Sequence, residues 1–254
     1  MYDLKGKTAV ITGATRGIGR SIAEQMALQG AQVVVSSRTA EACEEVAGAI
    51  KKMVKDGPGD AQPIACNISH KHQLREMVDK TLARFGKIDI LVCNAASNVH
   101  HGPSATIGDD AFSKIIDTNL KSTHWLCQMV LPGMVERRDG AIIVISSIAG
   151  LRGSESLGTY GISKAGEMAL VRNIAMEYGQ YNIRANSIAP GLIKTDFAKA
   201  LWQNPAFLEE RIKKTPLRRI GEPIDIAGAA VFLASKASSF MTGQVLVIDG
   251  GVTV

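Results

Sequence analysis

Short runs of apolar, mostly β-branched residues alternate along the chain with longer amphipathic stretches. The short runs predict seven strands, at residues 7–12, 32–36, 61–65, 88–93, 141–146, 183–188 and 245–248. Four of them are almost entirely apolar, which is typical of central strands covered on both faces. The longer stretches predict helices at residues 18–29, 40–55, 71–85, 109–137, 158–178 and 223–234.

This alternation predicts the fold class. Strands that alternate with helices form a parallel sheet with helices on both faces, and right-handed crossovers make that sheet a doubly wound Rossmann fold. Because no repeat, low-complexity tract or linker interrupts the pattern, residues 1–254 are predicted to form one α/β domain with a seven-stranded sheet. Pro132 is expected to kink or break its helix. The segment 192–216 is long for a connection and is predicted to be a substrate lid.

Composition narrows the class of protein. A chain of 254 residues with 46% hydrophobic content can bury a large core. No apolar run is long enough to cross a bilayer, and the first residues lack the apolar core of a signal peptide, so a cytoplasmic protein with no membrane partner is expected. The four cysteines form no C-x-x-C pair and are expected to be reduced, buried thiols. The net charge of +5 comes from scattered basic residues, so a phosphorylated or acidic small ligand is expected rather than nucleic acid.

A glycine-rich turn follows the first predicted strand directly and opens the first predicted helix. It reads TGATRGIG over residues 12–19. Gly13 permits the tight turn, Gly17 lets the backbone approach a pyrophosphate, and Gly19 lets helix and strand pack closely. The helix N-terminus adds amide hydrogens and a partial positive charge. The turn therefore predicts a dinucleotide site, against the alternative of a glycine-rich turn with no ligand.

The end of the second predicted strand bears on the choice of cofactor. No carboxylate occurs there before Glu41, so nothing would repel a ribose 2′-phosphate. Arg38 follows this strand and Arg16 lies in the glycine turn, and both side chains are suited to charge-assisted hydrogen bonds with a phosphate. The pair favours NADPH/NADP⁺. The alternative is that both are solvated surface arginines and the enzyme uses either cofactor.

Further polar residues lie at or beyond the ends of later strands. Asn94 follows the fourth strand among small residues, which fits either passage beside the cofactor or simple packing of a helix on the sheet. Ser147 follows the fifth strand, at the edge where open α/β sheets place ligands. Tyr160 and Lys164 are four residues apart on the next helix, so they share one face, and the ammonium is expected to lower the tyrosine pKa. Such a pair alone also arises by chance.

Together these motifs resemble those of the short-chain dehydrogenase/reductase family over nearly the whole chain. The similarity is carried by TGATRGIG at 12–19, CNAA at 93–96, Asn119 in DTNLK, Ser147 in ISSIAG, YGISK at 160–164 and Pro190 with Gly191. The spacing from the serine to the tyrosine also fits the family. Two positions depart from it: Asn67, where many relatives carry aspartate, and Ala96, where glycine is commoner.

The resemblance implies an enzyme that reduces a ketone or aldehyde by hydride transfer. Tyr160 would protonate the carbonyl oxygen, Ser147 would hold that oxygen, and Lys164 would tune Tyr160 and bind the nicotinamide ribose. Asn119 would support a water that connects Lys164 to solvent. No metal is needed. The residues expected at the cofactor, besides Tyr160 and Lys164, are Gly13, Thr15, Arg16, Gly17, Ile18, Gly19, Ser37, Arg38, Asn67, Ile68, Asn94, Ala95, Pro190, Gly191, Ile193 and Thr195.

Three segments are expected to close the substrate pocket: 97–103, 151–159 and the lid 192–216. The lid carries apolar side chains that suit a hydrophobic carbonyl compound: Phe197, Leu201, Trp202 and Phe207. The alternative is that Trp202 and Phe207 only anchor the lid to the core. The pair His100 and His101 is expected at the pocket mouth rather than on a metal, because adjacent side chains in extended chain point to opposite faces.

Within the family, APGLIKTDF and RRIGEP resemble NADPH-dependent carbonyl and retinal reductases. The second interpretation is a 3-oxoacyl-(acyl-carrier-protein) reductase of fatty-acid synthesis, for which Arg138 matches one basic docking position while Tyr181 replaces the other. A third is a catalytically silent NADPH-binding protein. The family also implies a homotetramer, and the helical stretches 109–134 and 158–178 carry enough apolar residues for subunit contacts or for a deep core.

Overall fold

Seven parallel strands form one sheet in the computed structural model, which describes residues 1–254. The strands are β1 Thr8–Thr12, β2 Gln32–Ser37, β3 Asp60–Ala65, β4 Ile90–Cys93, β5 Gly140–Ile145, β6 Ile183–Pro190 and β7 Val245–Ile248. Their spatial order is β3-β2-β1-β4-β5-β6-β7. The predicted Rossmann fold with a seven-stranded parallel sheet is therefore confirmed, with strand ends within two residues of the predicted ones.

Nine α-helices connect and cover the strands. They are α1 Gly17–Leu28, α2 Ala40–Met53, α3 Lys71–Phe85, α4 Asp109–Ile116, α5 Ser122–Arg137, α6 Gly158–Tyr178, α7 Lys199–Trp202, α8 Pro205–Lys214 and α9 Pro223–Ala234. Gly86 ends α3 in the left-handed conformation, as its position in the sequence indicates. None of the helices is both long enough and apolar enough to span a bilayer.

Side chains of the central strands alternate between two cores, one on each face of the sheet. Ala9 and Ile11 of β1 join the larger cluster, which lies under α1, α2 and α9. Val10, between them, joins the second cluster under α3, α5 and α6. This alternation explains why the central strands are continuously apolar: both faces of each strand are buried.

The break that was one of the two expected outcomes at Pro132 does not occur, because the helix α5 continues through Pro132 to Arg137. The irregularity lies earlier, where Asp117–Lys121 forms a π-helical turn between α4 and α5. A proline removes one hydrogen bond, whereas a π turn inserts an extra residue and re-aims the side chains on it. Asn119 lies in this turn, and its surroundings are described below.

The topology determines where a ligand binds. The chain crosses from β3 back to β4 on the other side of β1, so the strand order reverses between β1 and β4. Open α/β sheets bind ligands at the carboxyl ends of the strands next to such a reversal. The glycine turn follows β1, and Asn94 follows β4, so both lie at this crevice.

Candidate active site

The three glycines of the turn after β1 lie where side chains cannot fit. Gly13 and Gly17 have positive φ values of 64° and 53°. A Cβ on Gly13 would lie 3.1 Å from Cα of Ala95, and one on Gly19 would collide with the carbonyl oxygen of Gly13 and the side-chain nitrogen of Asn94. The turn is therefore a cradle of bare backbone, as a bound pyrophosphate requires.

Thr12, which the sequence analysis did not single out as a site residue, fastens the ends of β1 and β4 together. Its hydroxyl accepts hydrogen bonds from the backbone N–H groups of Asn94 at 3.0 Å and Ala95 at 3.1 Å. In return, the Asn94 side chain donates to the carbonyl oxygens of Thr12 at 2.9 Å and Gly13 at 3.1 Å. A polar residue at the end of an otherwise apolar strand was the available signal. These bonds support a site role for Asn94, although they also serve packing.

The N-terminus of α1 is open to an anion. Arg16 precedes it without a side-chain cap, and the first turn holds no acidic residue. The first amides of the helix therefore have no carboxylate to satisfy them, which favours a phosphate. The Thr195 side chain packs over this end, since a Cβ on Gly17 would lie 3.1 Å from Cγ2 of Thr195. The predicted cofactor residues Thr15 and Ile18 lie in the same turn.

Two arginines near the crevice differ in whether they have a carboxylate partner. The guanidinium of Arg16 lies 3.8 Å from the carboxylate of Asp196, with both side chains more than half exposed. Arg38 is exposed beyond β2 and has no carboxylate partner. The backbone N–H of neighbouring Ser37 donates to Sγ of Cys43 at 3.2 Å, and the Ser37 hydroxyl lies 3.3 Å from the same sulfur. Cys43 thus shapes the turn that carries Arg38.

Hydrogen bonds also hold the turn after β3 in place. The backbone N–H of Asn67 donates to the Gln73 side chain at 2.8 Å, and the Asn67 side-chain oxygen accepts from the N–H of Ser69 at 3.2 Å. This leaves the side-chain NH₂ of Asn67 available for an adenine edge. Ile68 lines a small cavity with Thr12 and other residues of this edge.

Pro190 and Gly191, at the end of β6, hold the start of the lid against β7. The N–H of Gly191 donates to Ile248 at 2.9 Å, and a Cβ there would lie 2.8 Å from Cα of Asp249. Ile193 is buried and pairs with Gly221 in an isolated parallel bridge. The predicted residues of this segment therefore lie on backbone that is fixed at both sides.

Ser147 and Tyr160 come together at the end of β5. The Ser147 hydroxyl lies close enough to the phenol to lower its pKa, and it also accepts the N–H of Ala149 at 3.1 Å. Burial has the larger effect and raises the pKa of Tyr160 above its ordinary value, although Lys164 opposes that rise. The expected lowering by Lys164 is present but is outweighed, so Tyr160 is held as a neutral phenol.

Two glycines allow the short turn after Ser147 to pack tightly on α6. A Cβ on Gly150 would lie 2.8 Å from the backbone of Lys164 and Ala165. A Cβ on Gly161 would lie 2.6 Å from the carbonyl oxygen of Ala149. The motifs ISSIAG and YGISK contain both glycines, but the sequence analysis assigned neither of them a role. Their role is to bring the strand end and the helix within reach of each other.

Lys164 is fully buried, and its ammonium has specific partners. Nζ donates to the carbonyl oxygen of Ile145 at 2.9 Å and to the two carboxylate oxygens of Glu167 at 3.0 and 3.1 Å. Nζ also lies 5.5 Å from the centre of the Tyr160 ring. Burial alone would lower the pKa of Lys164, but Glu167 and Tyr160 raise it above its ordinary value. Lys164 therefore remains charged, and Glu167 is a partner that the sequence analysis missed.

Asn119 is completely buried and connects two parts of the site. Its side-chain NH₂ donates to the carbonyl oxygen of Ser97 and to the hydroxyl of Ser163, both at 3.0 Å. Its side-chain oxygen accepts the N–H of Ser97 at 2.7 Å. The Ser163 hydroxyl donates in turn to the carbonyl oxygen of Tyr160 at 2.7 Å. Asn119 thus joins the start of the predicted pocket wall to the helix that carries Tyr160.

Two of the three predicted pocket segments contact each other through their backbones. Gly102 and Leu157 form a parallel bridge, and the N–H of Gly102 donates to Ser156 at 3.0 Å. The two histidines nearby have separate neighbours. The His100 ring lies 3.3 Å from the Thr106 hydroxyl, and the His101 ring lies 3.3 Å from the Asn98 amide.

The predicted lid approaches Tyr160 through Phe197. The rings of Phe197 and Tyr160 are 6.2 Å apart between centres. Trp202, by contrast, donates its indole N–H to the carbonyl oxygen of Thr195 at 2.8 Å. This bond lies within the predicted lid and does not test whether Trp202 anchors it to the core, and Phe197 is the aromatic side chain beside Tyr160.

Comparison with known proteins places this arrangement in a family. A family model described as enoyl-(acyl carrier protein) reductase matches residues 13–253. Rabbit (Oryctolagus cuniculus) dehydrogenase/reductase SDR family member 4 is 37% identical over 98% of this chain and 94% of its own. The chain belongs to the short-chain dehydrogenase/reductase family. It is therefore an oxidoreductase acting on CH–OH or C=O groups, in a family that uses a nicotinamide cofactor.

Two further members of the family indicate its breadth. The 3-oxoacyl-(acyl-carrier-protein) reductase FabG of Chlamydia muridarum is 40% identical over 98% of both chains. A solved structure of a 7 alpha-hydroxysteroid dehydrogenase, complexed with NADH and 7-oxo glycochenodeoxycholic acid, superposes with a TM-score of 0.93. It is 38% identical and covers 98% of this chain and 95% of its own. Substrates of very different size are thus named among similar proteins.

Proposed function

We propose that this protein is an NADPH-dependent reductase that converts a ketone or aldehyde to an alcohol. The observation that carries the proposal is the placement of Ser147 beside Tyr160, with Lys164 on the same helix, at the sheet edge that also holds the glycine cradle. A hydroxyl donor, a proton donor and a fixed ammonium at one edge form the set that carbonyl reduction needs.

Each of the three side chains has a separate role in the proposed reaction. Ser147 donates a hydrogen bond to the carbonyl oxygen and polarises it. Tyr160 gives its phenolic proton to that oxygen as the alcohol forms, and Lys164 stabilises the phenolate that remains. The bound cofactor supplies the hydride. The turn of Gly13, Gly17 and Gly19 fits its pyrophosphate because it presents bare backbone and the uncapped N-terminus of α1 to an anion.

NADP(H) is favoured over NAD(H) by charge. Arg38 is exposed and unpaired beside the crevice, and the weak, exposed contact of Arg16 with Asp196 can be exchanged for a phosphate. No carboxylate lies at the end of β2 to repel a 2′-phosphate. The solved structure of a similar dehydrogenase contains NADH. The preference of this protein for NADPH over NADH therefore needs a direct kinetic test.

The proposed substrate is a free, hydrophobic carbonyl compound. Phe197 beside Tyr160 supports an apolar wall at the reacting end. The second candidate is reduction of a 3-oxoacyl group on an acyl-carrier protein. It is favoured by the exposed Arg138, whose guanidinium lies 5.8 Å from the centre of the Tyr181 ring, and by the similarity to FabG.

The test measures initial rates of reduced-cofactor consumption with NADPH and NADH. One substrate panel holds free ketones and aldehydes, and the other holds acetoacetyl thioesters, including the carrier-protein form. We expect NADPH turnover of free carbonyls to dominate. A strong preference for the carrier-protein thioester would replace the first proposal by the second.

Two variants complete the test. Tyr160→Phe should abolish turnover while cofactor binding, measured by calorimetry, persists; absence of activity in the unaltered protein as well would indicate a silent binding protein. Arg38→Ser should raise the KM for NADPH about tenfold and leave the KM for NADH unchanged, because a charge-assisted hydrogen bond to phosphate is lost. Arg75→Ser, at an exposed arginine of α3, is the matched control. Equal effects on both cofactors would refute the NADPH assignment.

A further inference from the structure

Glu167 is a buried carboxylate that the proposed mechanism does not use. Its side chain is 2% exposed, as is that of Lys164, and both carboxylate oxygens accept hydrogen bonds from Nζ of Lys164. A buried ion pair is costly to desolvate, so it contributes little to stability by comparison with apolar packing. Its position against the lysine of the proposed active site therefore calls for a functional explanation.

We propose that Glu167 is a positioning residue that holds the Lys164 ammonium and neutralises its charge, so that Tyr160 stays a proton donor at neutral pH. This inference rests on the proposed function, because it assigns a role in the same reaction. It concerns only side chains of this protein, and it can be tested without cofactor or substrate.

The hydrogen bonds of Lys164 support this positioning role. The ammonium has three protons, and its partners are the Ile145 carbonyl oxygen and the two oxygens of Glu167. Nζ lies over the Tyr160 ring, 5.5 Å from its centre. Glu167 thus competes with the phenol oxygen for the ammonium and fixes where the charge lies on α6.

The net charge of the three buried groups also supports this role. With a phenol at Tyr160, an ammonium at Lys164 and a carboxylate at Glu167, the group is neutral. Loss of the phenolic proton leaves one net negative charge in a buried place. Without the carboxylate, the same loss takes the group from one positive charge to none, which burial favours. Glu167 therefore raises the pKa of Tyr160, in the direction found here.

Few other groups around Glu167 could offset the positive charge of Lys164 in its place. Cys93, at the end of β4, lies close enough to interact with both Glu167 and Lys164, and burial together with its contact to Cys127 of α5 keeps it a neutral thiol. Burial raises the pKa of Glu167 to about 7, with Lys164 opposing that rise. The neutralising effect should consequently fade as the pH falls below about 7, where Glu167 takes up a proton.

The experiment follows the Tyr160 phenol directly in the cofactor-free protein. Tyrosine labelled with ¹³C at Cζ gives one resonance for each of the four tyrosines, and Tyr160→Phe identifies that of Tyr160. In Glu167→Gln, we expect the Tyr160 titration to move down by about one pH unit or more. Glu177→Gln removes the same charge from an exposed position on the same helix and should leave the titration unchanged.

Activity provides a second readout. With an alcohol substrate and oxidised cofactor, Tyr160 must accept a proton, so the rise of kcat/KM with pH should shift to lower pH in Glu167→Gln by a similar amount. Below about pH 6, the profiles of the two proteins should converge, because Glu167 is then protonated. Glu167→Asp should restore most of the Tyr160 titration seen in the unaltered protein.

The outcomes separate the two proposals. If Glu167→Gln is folded but titrates Tyr160 at the same pH as the unaltered protein, the carboxylate is only structural and the inference is wrong. If Glu167→Gln does not fold, Glu167→Met takes its place, because it removes the same charge with a side chain of similar length: a downward shift of the Tyr160 titration supports the inference, and an unshifted titration overturns it. Failure to reduce free carbonyls would refute the proposed function and leave the NMR result standing.

Discussion

At the scale of single residues, the site depends on positions where a side chain is absent as much as on those where one acts. Gly19 lies where any Cβ would meet the Gly13 carbonyl and the Asn94 amide. These two groups already belong to the hydrogen bonds that join β1 to β4. Because neither is the free end of a flexible side chain, a methyl group there has to move backbone.

Gly19→Ala should therefore destabilise the protein by about 1–3 kcal/mol and abolish tight cofactor binding. Gly48→Ala is the matched control, because Gly48 also lies inside a helix, α2, with open space around its Cβ position. That change should stabilise the protein by up to about 1 kcal/mol. Chemical denaturation and calorimetric titration with NADPH measure both effects. Equal stability of the two variants would contradict the cradle described here.

The same scale shows what the sequence can and cannot predict. The sequence predicts Tyr160, Lys164 and Ser147 as site residues because the spacing of the first two on a helix and the place of Ser147 after a strand are visible in the chain. It does not predict Glu167, since an acidic residue three positions after a lysine is usually a solvated helix pair. Only packing reveals that this pair is buried. The irregular helix around Asn119 was equally hidden, because a π turn has no simple sequence signature, whereas Pro132 does.

At the scale of elements, the predicted lid meets the glycine turn through Thr195, to which the short helix α7 is bonded, and through the ion pair of Asp196 with Arg16. Trp202, in the short helix α7, donates its indole N–H to the carbonyl oxygen of Thr195. Thr195 packs against Gly17 of the glycine turn. The hydrogen bond of Trp202 therefore couples the position of α7 to the surface that is proposed to receive the cofactor.

Trp202→Phe should loosen the lid while keeping an aromatic ring in place. We expect the KM for the carbonyl substrate to rise about three- to tenfold, as loss of one hydrogen bond of roughly 1 kcal/mol implies, with a smaller change in kcat. Limited proteolysis between residues 192 and 216 should become faster. Trp125→Phe, at the other tryptophan of the chain, is the control. Unchanged KM and cleavage rates would show that the bond does not hold the lid.

At the scale of the whole molecule, the isolated chain leaves large apolar side chains in water. Met176 at the end of α6 is 85% exposed, Ile162 on the same helix is 56% exposed, and Phe240 is fully exposed. The apolar excess of the stretch 158–178 thus includes outward-facing residues, which the deep-core alternative does not explain. Exposed apolar side chains of this size are candidates for contacts between subunits.

We therefore expect a homotetramer, as the family resemblance implies. Light scattering after gel filtration should give four times the mass of one chain at micromolar concentration. Met176→Asp should shift the protein toward smaller species, because a charge would be buried in the contact. Met53→Asp, at an exposed methionine of α2, should not. A single monomer peak for the unaltered protein would rule out the tetramer.

The bridge between Gly102 and Leu157 has a consequence for how this enzyme changes over evolutionary time. The two segments that are predicted to be pocket walls are joined through main-chain groups, which every residue other than proline carries. Mutations in the intervening loops can therefore alter the size and polarity of the pocket without releasing the walls from each other. A chain built in this way can acquire a new substrate by point mutation while its stability stays nearly constant. The range of substrates named among its relatives is what such tolerance would produce.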